Sequence, residues 1–356
     1  MRNYLLSLLV SLFAVTGSLP AVAQEAYAVL TSDQTLTFYY DNQRATRQNY
    51  ERIYDMPKPG KRPSWAGDNL TPQKNIKHVV FDASFSEYRP TSTNSWFEHC
   101  INLQDIEGIR NLNTERVYDM SFMFSNCYAL TSLDLSNFKT QNVTNMSSMF
   151  FGSALTSLDL SNFNTQNVTN MGSMFSSCYE LTSLDVSNFN TQNVTDMSSM
   201  FEGCSALRSI DVSKFKTEKV TSMQWMFIYC YALTSLDLSN FNTQNVTDMW
   251  YMFDGCTSLT TIFCNSNWKV GYKYGTDMFN NCTQLKGTNT AYNANKTGIE
   301  MANPTTGYFT SKTTGIDHVK TADRAGDGKA YDLSGRRVNE SYKGIVIKNK
   351  KKYIQK

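Results

Sequence analysis

Hydrophobic positions recur with a fixed period over most of the chain. The pattern Leu-x-x-Leu-x-Leu, with Ile or Val at some positions, returns every 26 residues with one interval of 25. A fixed period of this size is typical of a solenoid, in which each unit buries its apolar face only against its neighbours. We therefore predict about seven or eight coils. The clearest copies begin at Leu130, Leu155, Leu181, Leu207, Leu233 and Leu259, with degenerate copies at Leu103 and Leu285.

The hydrophobic pattern changes character within each unit. Leu158 and Leu160 alternate with polar residues, which is strand periodicity, whereas Met171, Met174 and Phe175 have the i, i+3, i+4 spacing of a helix. Each coil is therefore predicted to be one short parallel strand plus one short helical turn, an α/β arrangement. The residues expected to point inward are Leu155, Leu158, Leu160, Phe163, Val168, Met171, Met174 and Phe175.

The repeats are close copies of one another. LDLSNFNTQNVT occurs at 158–169 and again at 236–247, and the unit at 181–204 reads LTSLDVSNFNTQNVTDMSSMFEGC. Such units, spread over about 100–285, resemble the leucine-rich repeats of BspA-like bacterial surface proteins, a group with NVTDMSSMF-type repeats of unknown function. The resemblance implies a leucine-rich-repeat solenoid, surface display, and adhesion or partner binding.

The start of the chain resembles a secretory signal peptide. Arg2 supplies a positive charge, LLSLLVSLFAV is the apolar stretch, and Ala21-Val22-Ala23 forms a small-residue cleavage site. No later segment approaches the roughly 18 apolar residues of a membrane span. We therefore expect export without a transmembrane segment, to the cell surface or the medium.

Outside the repeat, the composition divides the chain further. AYAVL and TLTFYYD, separated by Thr31-Ser32-Asp33-Gln34, predict a β-hairpin that caps the first coil. The basic strands near the C-terminus, YDLSGRRV and KGIVIKNKKKYIQK, resemble the C-terminal sorting domain of type IX secretion substrates, which implies delivery to the outer-membrane exterior; a plain stabilising β-tail is the alternative. The predicted regions are a signal peptide at 1–23, a β-rich cap at 24–77, the solenoid at 78–285, a cap and linker at 286–314, and the tail at 315–356.

Charge and histidine content argue against two classes of function. Lys and Arg total 33 against 31 Asp and Glu, a formal charge of +2 that gives no field for binding nucleic acid. The chain has only 3 histidines, and His99 and Cys100 are adjacent on a predicted extended segment, where neighbours point apart. We expect no catalysis, no cofactor and no metal centre.

Cysteines form a column in the repeat. Seven of the 8 fall at one place in the unit, Ser153 fills the missing position, and only Cys264 is out of register. We interpret the column as buried thiols packed as small apolar residues, and disulfides between adjacent coils are the alternative in an exported protein.

Acidic residues form a second column in the middle of each predicted strand. Like charges about 5 Å apart repel by roughly 1–3 kcal/mol per pair at effective dielectrics of 80 to 20. Either a cationic ligand or Ca²⁺ binds along this face, or flanking serines, water and salt offset the repulsion. The acids are Asp134, Asp159, Asp185, Asp211 and Asp237.

Departures from the repeat are the best candidates for a binding site. The unit that begins at Leu207 carries KFKTEK and QWMFIYCY where other units carry NFNTQN and SSMFEGCS. Clustered aromatics edged by lysines are typical of a binding hot spot, and the alternative is that the aromatics cover a seam between coils. The candidate ligand-binding residues are Trp225, Tyr229, Tyr231, Trp250, Tyr251, Lys214 and Lys216.

Together these features predict an exported, surface-displayed repeat protein that mediates adhesion or protein binding. Its partner would be an extracellular protein or a cell-surface ligand of a host or of other bacteria. The secretion machinery would engage the signal peptide and the tail. Alternatives are a structural surface component that assembles through its own repeats, and a carbohydrate-binding surface protein.

Overall fold

The computed structural model describes residues 23–269 and 275–312 and, beyond them, four strands. All but the last residue of the predicted signal peptide lies outside the described residues, as do the predicted tail turns at Ser334-Gly335 and Asn349-Lys350. The chain divides into two compact units between Leu181 and Thr182. We call them the first and second unit.

A five-stranded sheet begins the first unit. Strands β1 (Glu25–Leu30) and β2 (Thr35–Asp41) form an antiparallel hairpin at the place that the sequence predicts. β3 (Arg52–Asp55) pairs with β1, and β4 (His78–Phe81) pairs in parallel with β2 and with β5 (Asp105–Glu107). The hairpin thus extends the parallel strands of the first coils, so that their edge is covered.

Large aromatic side chains fill the core beside this sheet. The Phe38 ring stacks on Phe81 with centroids 4.7 Å apart and on Trp96 at 5.5 Å. Trp65 meets Phe38 edge-on at 5.3 Å, and its indole N–H donates to the Trp96 carbonyl at 2.7 Å. All four rings are almost completely buried. This cluster joins the hairpin to the first coils through one continuous core.

The predicted helical turn is wrong. Among the described residues, every helix is a short 3₁₀ turn, and none coincides with the Met-x-x-Met-Phe segments. In those segments alternate N–H groups donate to the next coil: Phe122 to the Ser147 carbonyl at 3.0 Å, and Phe124 to that of Met149 at 2.9 Å. The 3₁₀ turns are Arg44–Thr46, Ala83–Glu87, Ile109–Asn111 and Ile299–Met301.

Residues at positive φ explain why the spacing of the buried residues resembles that of a helix. The N–H groups that do not reach the next coil close tight turns, such as Met123 to the Met120 carbonyl at 3.3 Å. Each pair of turns needs two residues at positive φ, for example Phe122 and Asn126, both at 57°. Two successive turns return the chain to the same face after three or four residues, as a helix would. Three coils have Ser or Gly at both positions, namely Ser148 and Gly152, Ser173 and Ser177, and Ser199 and Gly203.

The predicted parallel strand is confirmed only in some coils. β6 (Ser235–Asp237) and β7 (Thr261–Phe263) pair in parallel, and β8 (Phe309–Thr310) extends them. In the described coils at 133–136 and 158–161 the equivalent residues are not in strands.

The predicted inward residues are confirmed apart from one. In the coil that begins at Leu155 all of them are buried except Leu158, which is half-buried. Equivalent phenylalanines stack in register within each unit. The centroid separations are 5.6, 5.9 and 5.7 Å along Phe97, Phe124, Phe150 and Phe175 in the first unit, and 5.5, 5.8 and 5.5 Å along Phe201, Phe227, Phe253 and Phe279 in the second.

Polar residues of the repeated dodecapeptide bind the neighbouring coil. The Asn162 amide nitrogen lies 2.9 Å from the Leu135 carbonyl and 3.0 Å from that of Phe138. The buried Thr140 hydroxyl donates to the Asn164 carbonyl at 3.1 Å and accepts the Asn164 N–H at 2.7 Å. The dodecapeptide recurs because its polar positions as well as its apolar ones face an identical neighbour.

All eight cysteines are free and buried. The Cys127 thiol donates to the Phe97 carbonyl of the preceding coil at 3.1 Å, and Cys178 does the same to Phe150 at 3.1 Å. Burial raises the pKa of Cys178 to about 11. The thiols therefore act as small core residues that also satisfy a backbone carbonyl.

The second unit ends in two small β structures. Tyr308 and Phe309 both pack edge-on against Phe279 and so cover the last stacked ring. Four tail strands, numbered β9 to β12 along the chain, form an antiparallel sheet in the order β10-β9-β11-β12. No helix in the described part of the chain has the length and hydropathy needed to cross a membrane. The tail strands are β9 (Ala330–Tyr331), β10 (Arg337–Val338), β11 (Gly344–Lys348) and β12 (Lys351–Gln355).

Replacing Asn162 tests the polar contacts between coils. Asn162→Ala leaves two carbonyls of the preceding coil without their donor, so we expect the free energy of unfolding to fall by about 1–2 kcal/mol. Urea denaturation followed by circular dichroism measures the change. Gln141→Ala is the control, because the neighbouring coil uses the Gln141 backbone carbonyl rather than its side chain. Equal stability of the two variants would contradict the assignment.

Thiol labelling distinguishes buried thiols from disulfides. We expect no cysteine to react with a thiol reagent in the native protein and all 8 to react after denaturation without reductant. Mass spectrometry counts the labels. Denatured protein that takes up label only after reduction would show that the disulfide alternative is correct.

Candidate functional site

The candidate aromatic residues lie in or next to the left-handed turns of the second unit, and Tyr231 shares its register with Tyr128 and Tyr179 of the first unit. Trp225, Tyr229 and Tyr231 are 38%, 42% and 48% exposed, and Tyr251 is half-buried. Trp225 and Tyr251 occupy equivalent positions on adjacent coils, and the Trp225 N–H donates to the carbonyl of Trp250, beside Tyr251, at 2.9 Å. We call Trp225, Tyr229, Tyr231 and Tyr251 the aromatic patch. Trp250 itself is half-buried.

Three patch residues adopt a backbone conformation that large side chains rarely take. Trp225 and Tyr229 have φ of 59° and Tyr251 has φ of 51°. In the preceding coil, Ser199 and Gly203 hold the positions of Trp225 and Tyr229. A residue other than glycine in this region costs on the order of 1–3 kcal/mol. The patch is therefore built at a local cost in stability.

The Tyr229 ring is supported by its neighbours. Its centroid lies 5.9 Å from that of Tyr231. A Cβ atom on Gly255 of the following coil would lie 2.6 Å from Tyr229 Cδ1 and 3.2 Å from Cε1. Gly255 also has φ of 73°. Glycine is therefore required beneath the ring for two reasons, conformation and space.

Carboxylates flank Tyr229 on both sides. Its N–H donates to the Asp254 carbonyl of the following coil at 2.8 Å, and the Ile228 carbonyl accepts the N–H of Gly203, beside Glu202, at 2.8 Å. Glu202 and Asp254 hold the register of Ile228 in the coils before and after it. Burial, and then the charges of Asp254 and Glu202 among others, raise the pKa of Tyr229.

Asp254 is buried among polar donors. Only 5% exposed, it accepts hydrogen bonds at Oδ1 from the side-chain amides of Asn280 at 3.1 Å and Asn281 at 3.2 Å. Burial raises its pKa, while these bonds oppose the shift. We did not predict a role for Glu202, Asp254 or Gly255 from the sequence. For the two acids the available signal was a departure from Ser125 and Ser176, which hold the same register.

The candidate lysines lie in a different segment of the coil. Lys214 and Lys219 stand where other coils have asparagines, and Lys214 Nζ reaches the Ser187 carbonyl at 3.5 Å. Lys219 Nζ lies 2.7 Å from Asn193 Oδ1. Both amines thus replace asparagine amides in bonding the preceding coil. Lys216 is exposed, and its role in ligand binding stays a prediction.

Each acid of the aspartate column stabilises a local turn. Oδ1 accepts the N–H of the serine two residues on, at 3.0 Å from Asp134 to Ser136 and 2.9 Å in the next two coils. Arg110 also pairs with Asp134 at 3.3 Å, and Lys312 pairs with Asp237. In the part of the chain that the structure describes, no three acids, cysteines or histidines are grouped to hold a metal ion. Cation binding along the column stays a prediction.

His99 and Cys100 are both structural. His99 Nε2 lies 2.7 Å from Asn69 Oδ1 and 3.0 Å from Asn126 Nδ2, and burial lowers the pKa of the ring. Burial raises the pKa of Cys100 far above its usual range, so its thiol stays protonated. This pair therefore lacks the thiolate that nucleophilic catalysis requires.

The aspartate column predicts loss of stability in acid. Hydrogen bonds from serine lower the pKa of Asp134, Asp185 and Asp211 in the folded protein. A lowered folded pKa gives stability that is present above the unfolded value of about 3.9 and is lost as the pH falls through the folded value. We expect the melting temperature to drop below about pH 4, and less so in an Asp134→Asn/Asp185→Asn/Asp211→Asn variant. Equal pH dependence of the two proteins would contradict this account.

Comparison with known proteins gives one similar solved structure and one matching family model. No curated protein matches the chain. A solved structure, a leucine-rich repeat protein from Eubacterium ventriosum ATCC 27560, is 17% identical, covers 74% of this chain and 82% of its own, and superposes with a TM-score of 0.31. A family model matches residues 91–210 and 176–295, which together span more than half of the chain. The chain therefore belongs to the family described as "Mycoplasma protein of unknown function, DUF285".

Proposed function

We propose that this protein is an exported, surface-displayed repeat protein of the BspA-like kind that binds a partner protein through its coils and carries out no catalysis. The observation that carries the proposal is the aromatic patch, where exposed rings cluster at left-handed positions that the coils at 148–152, 173–177 and 199–203 fill with Ser and Gly. Exposed aromatics in a cluster are typical of binding hot spots.

The backbone strain at the patch residues favours a binding function over neutral drift. Residues at strained backbone positions persist where surrounding structure enforces them, and they concentrate at sites of function. Here the enforcing structure is the hydrogen bonding between coils, which continues unchanged through Trp225 and Tyr229. Because Tyr229 is exposed, its ring adds little to the core that would offset the strain.

The proposed architecture is a leucine-rich-repeat solenoid of seven or eight coils within 78–285. Residues 24–77 would cap one end and 286–314 the other. The parallel pairing of β2 with β4 and of β7 with β8 supports this arrangement, because each cap continues the strands of a coil. Capping of both ends is what a solenoid needs to protect its core.

The proposed route to the surface uses both ends of the chain. Residues 1–23 would direct export and be removed, and residues 315–356 would act as a sorting tail of the type IX kind. The tail strands β9 to β12, which form their own sheet, support a separate small β module. The final location would be the outer-membrane exterior or the medium.

Reversion of the patch to the repeat tests the proposed function. Trp225→Ser/Tyr229→Gly/Tyr231→Ser restores the residues of the preceding coil, so the fold should be kept and its melting temperature unchanged or raised. We expect the mature protein to bind saturably to at least one member of an array of extracellular-matrix proteins, and the variant to bind at least about tenfold more weakly.

A second variant separates the patch from exposed tyrosines in general. Tyr128 and Tyr179 are 57% and 58% exposed in the first unit, so Tyr128→Ser/Tyr179→Ser removes similar rings elsewhere and should leave binding intact. Loss of self-association alone in the patch variant would support a structural surface component. Binding to glycans in the same array, rather than to proteins, would support the carbohydrate alternative.

A further inference from the structure

Acidic residues stand on the coils before and after Tyr229. Asp254 follows Tyr229 on the next coil, Glu202 precedes it on the coil before, and both hold one register of the repeat. Glu202 is half-buried and Asp254 is only 5% exposed. Asp254 therefore contributes its charge from a buried position on the following coil, while Glu202 is partly open to solvent.

Aromatic rings beside carboxylates are suited to a cation. The face of a tyrosine ring attracts a positive charge, and the attraction is strongest where the contact is desolvated. A guanidinium group is planar, stacks on aromatic rings, and donates paired hydrogen bonds to a carboxylate. Arginine therefore fits the combination of exposed tyrosines and Glu202 better than a neutral or anionic ligand.

The first unit contains the same combination in an occupied form. The Arg47 guanidinium lies 3.6 Å from the centroid of the Tyr39 ring, and its Nε donates to the Tyr27 hydroxyl at 2.9 Å. The same guanidinium forms an ion pair with Asp41. Two tyrosines and one carboxylate thus hold an arginine within this chain, and the second unit has two exposed tyrosines, Tyr229 and Tyr231, with the half-buried Glu202 on the preceding coil.

We propose that the aromatic patch, together with Glu202 and Asp254, binds an arginine-bearing segment of the partner protein. This inference rests on the proposed function, and it specifies the chemistry that the site recognises. The guanidinium stacks on the Tyr229 and Tyr231 rings, Glu202 accepts its hydrogen bonds, and the Asp254 charge strengthens the attraction.

Peptide titration tests the inference directly. The mature protein is titrated calorimetrically with an acetylated tetra-arginine peptide, and with tetra-lysine and tetra-glutamine peptides of the same length. We expect saturable binding of tetra-arginine, weaker binding of tetra-lysine and none of tetra-glutamine. Tyr229→Gly should weaken tetra-arginine binding about tenfold, and Glu202→Gln/Asp254→Asn should do the same.

A matched control separates the site from general electrostatics. Glu218→Gln/Glu300→Gln removes two exposed acids from the same unit, outside the aspartate column, and should leave tetra-arginine binding unchanged. Equal losses in the two double variants would overturn the inference, as would absence of tetra-arginine binding. Vesicles of phosphatidylcholine should not compete for the patch, and competition would assign it to a lipid headgroup instead.

The outcome for this inference is separable from that for the proposed function. If the matrix-protein array reveals a partner whose binding requires the patch but is unaffected by Glu202→Gln/Asp254→Asn, the arginine inference fails and the proposed function stands. If tetra-arginine binds at the patch while no protein of the array does, the site chemistry stands and the proposed function fails.

Discussion

The hydrogen bonding of the backbone between adjacent coils is the constraint on which the structure depends. A coil of turns cannot satisfy its own N–H and carbonyl groups as an α-helix does, and buried backbone groups left unpaired are costly. Alternate N–H groups of each turn segment therefore donate to the next coil, as at Phe122 and Phe124. This requirement fixes the register of the coils, and through it the stacking of the phenylalanines.

The same constraint accounts for the close copying of the repeat. Asn162, Thr140 and the thiol of Cys178 each bond to a backbone group of a neighbouring coil, so each is useful only when that neighbour has the matching geometry. A coil that departs from the common sequence must still provide these bonds. Lys214 and Lys219 show how this is done, since their amines replace asparagine amides.

Side chains that depart from the repeat and form no hydrogen bond to the neighbouring coil are candidates for a function. Trp225 and Tyr229 occupy turn positions where a small residue is sufficient, and their rings extend into solvent. Gly255 is kept beneath Tyr229, and two acids stand on either side of it. The patch therefore combines exposed rings on left-handed backbone with acidic residues on the adjacent coils, and the proposed recognition rests on this combination.

The sequence was sufficient for the period, the hairpin and nearly all of the buried residues, because each depends on hydrophobic spacing along the chain. It was misleading for the turn segment, because the spacing of Met171, Met174 and Phe175 is the same for two left-handed turns as for a helix. The serines and glycines between them were the available signal, since they favour turns over helix. The position of the two acids next to Tyr229 could be found only from the structure, because they come from coils 26 residues away on either side.

The most direct test of the bonding between coils is a measurement of scalar couplings across hydrogen bonds in deuterated, isotope-labelled protein by nuclear magnetic resonance. Our account predicts couplings from the Phe122 amide to the Ser147 carbonyl and from the Phe124 amide to the Met149 carbonyl. Couplings from these amides to the carbonyls four residues earlier would show an α-helix and contradict the account.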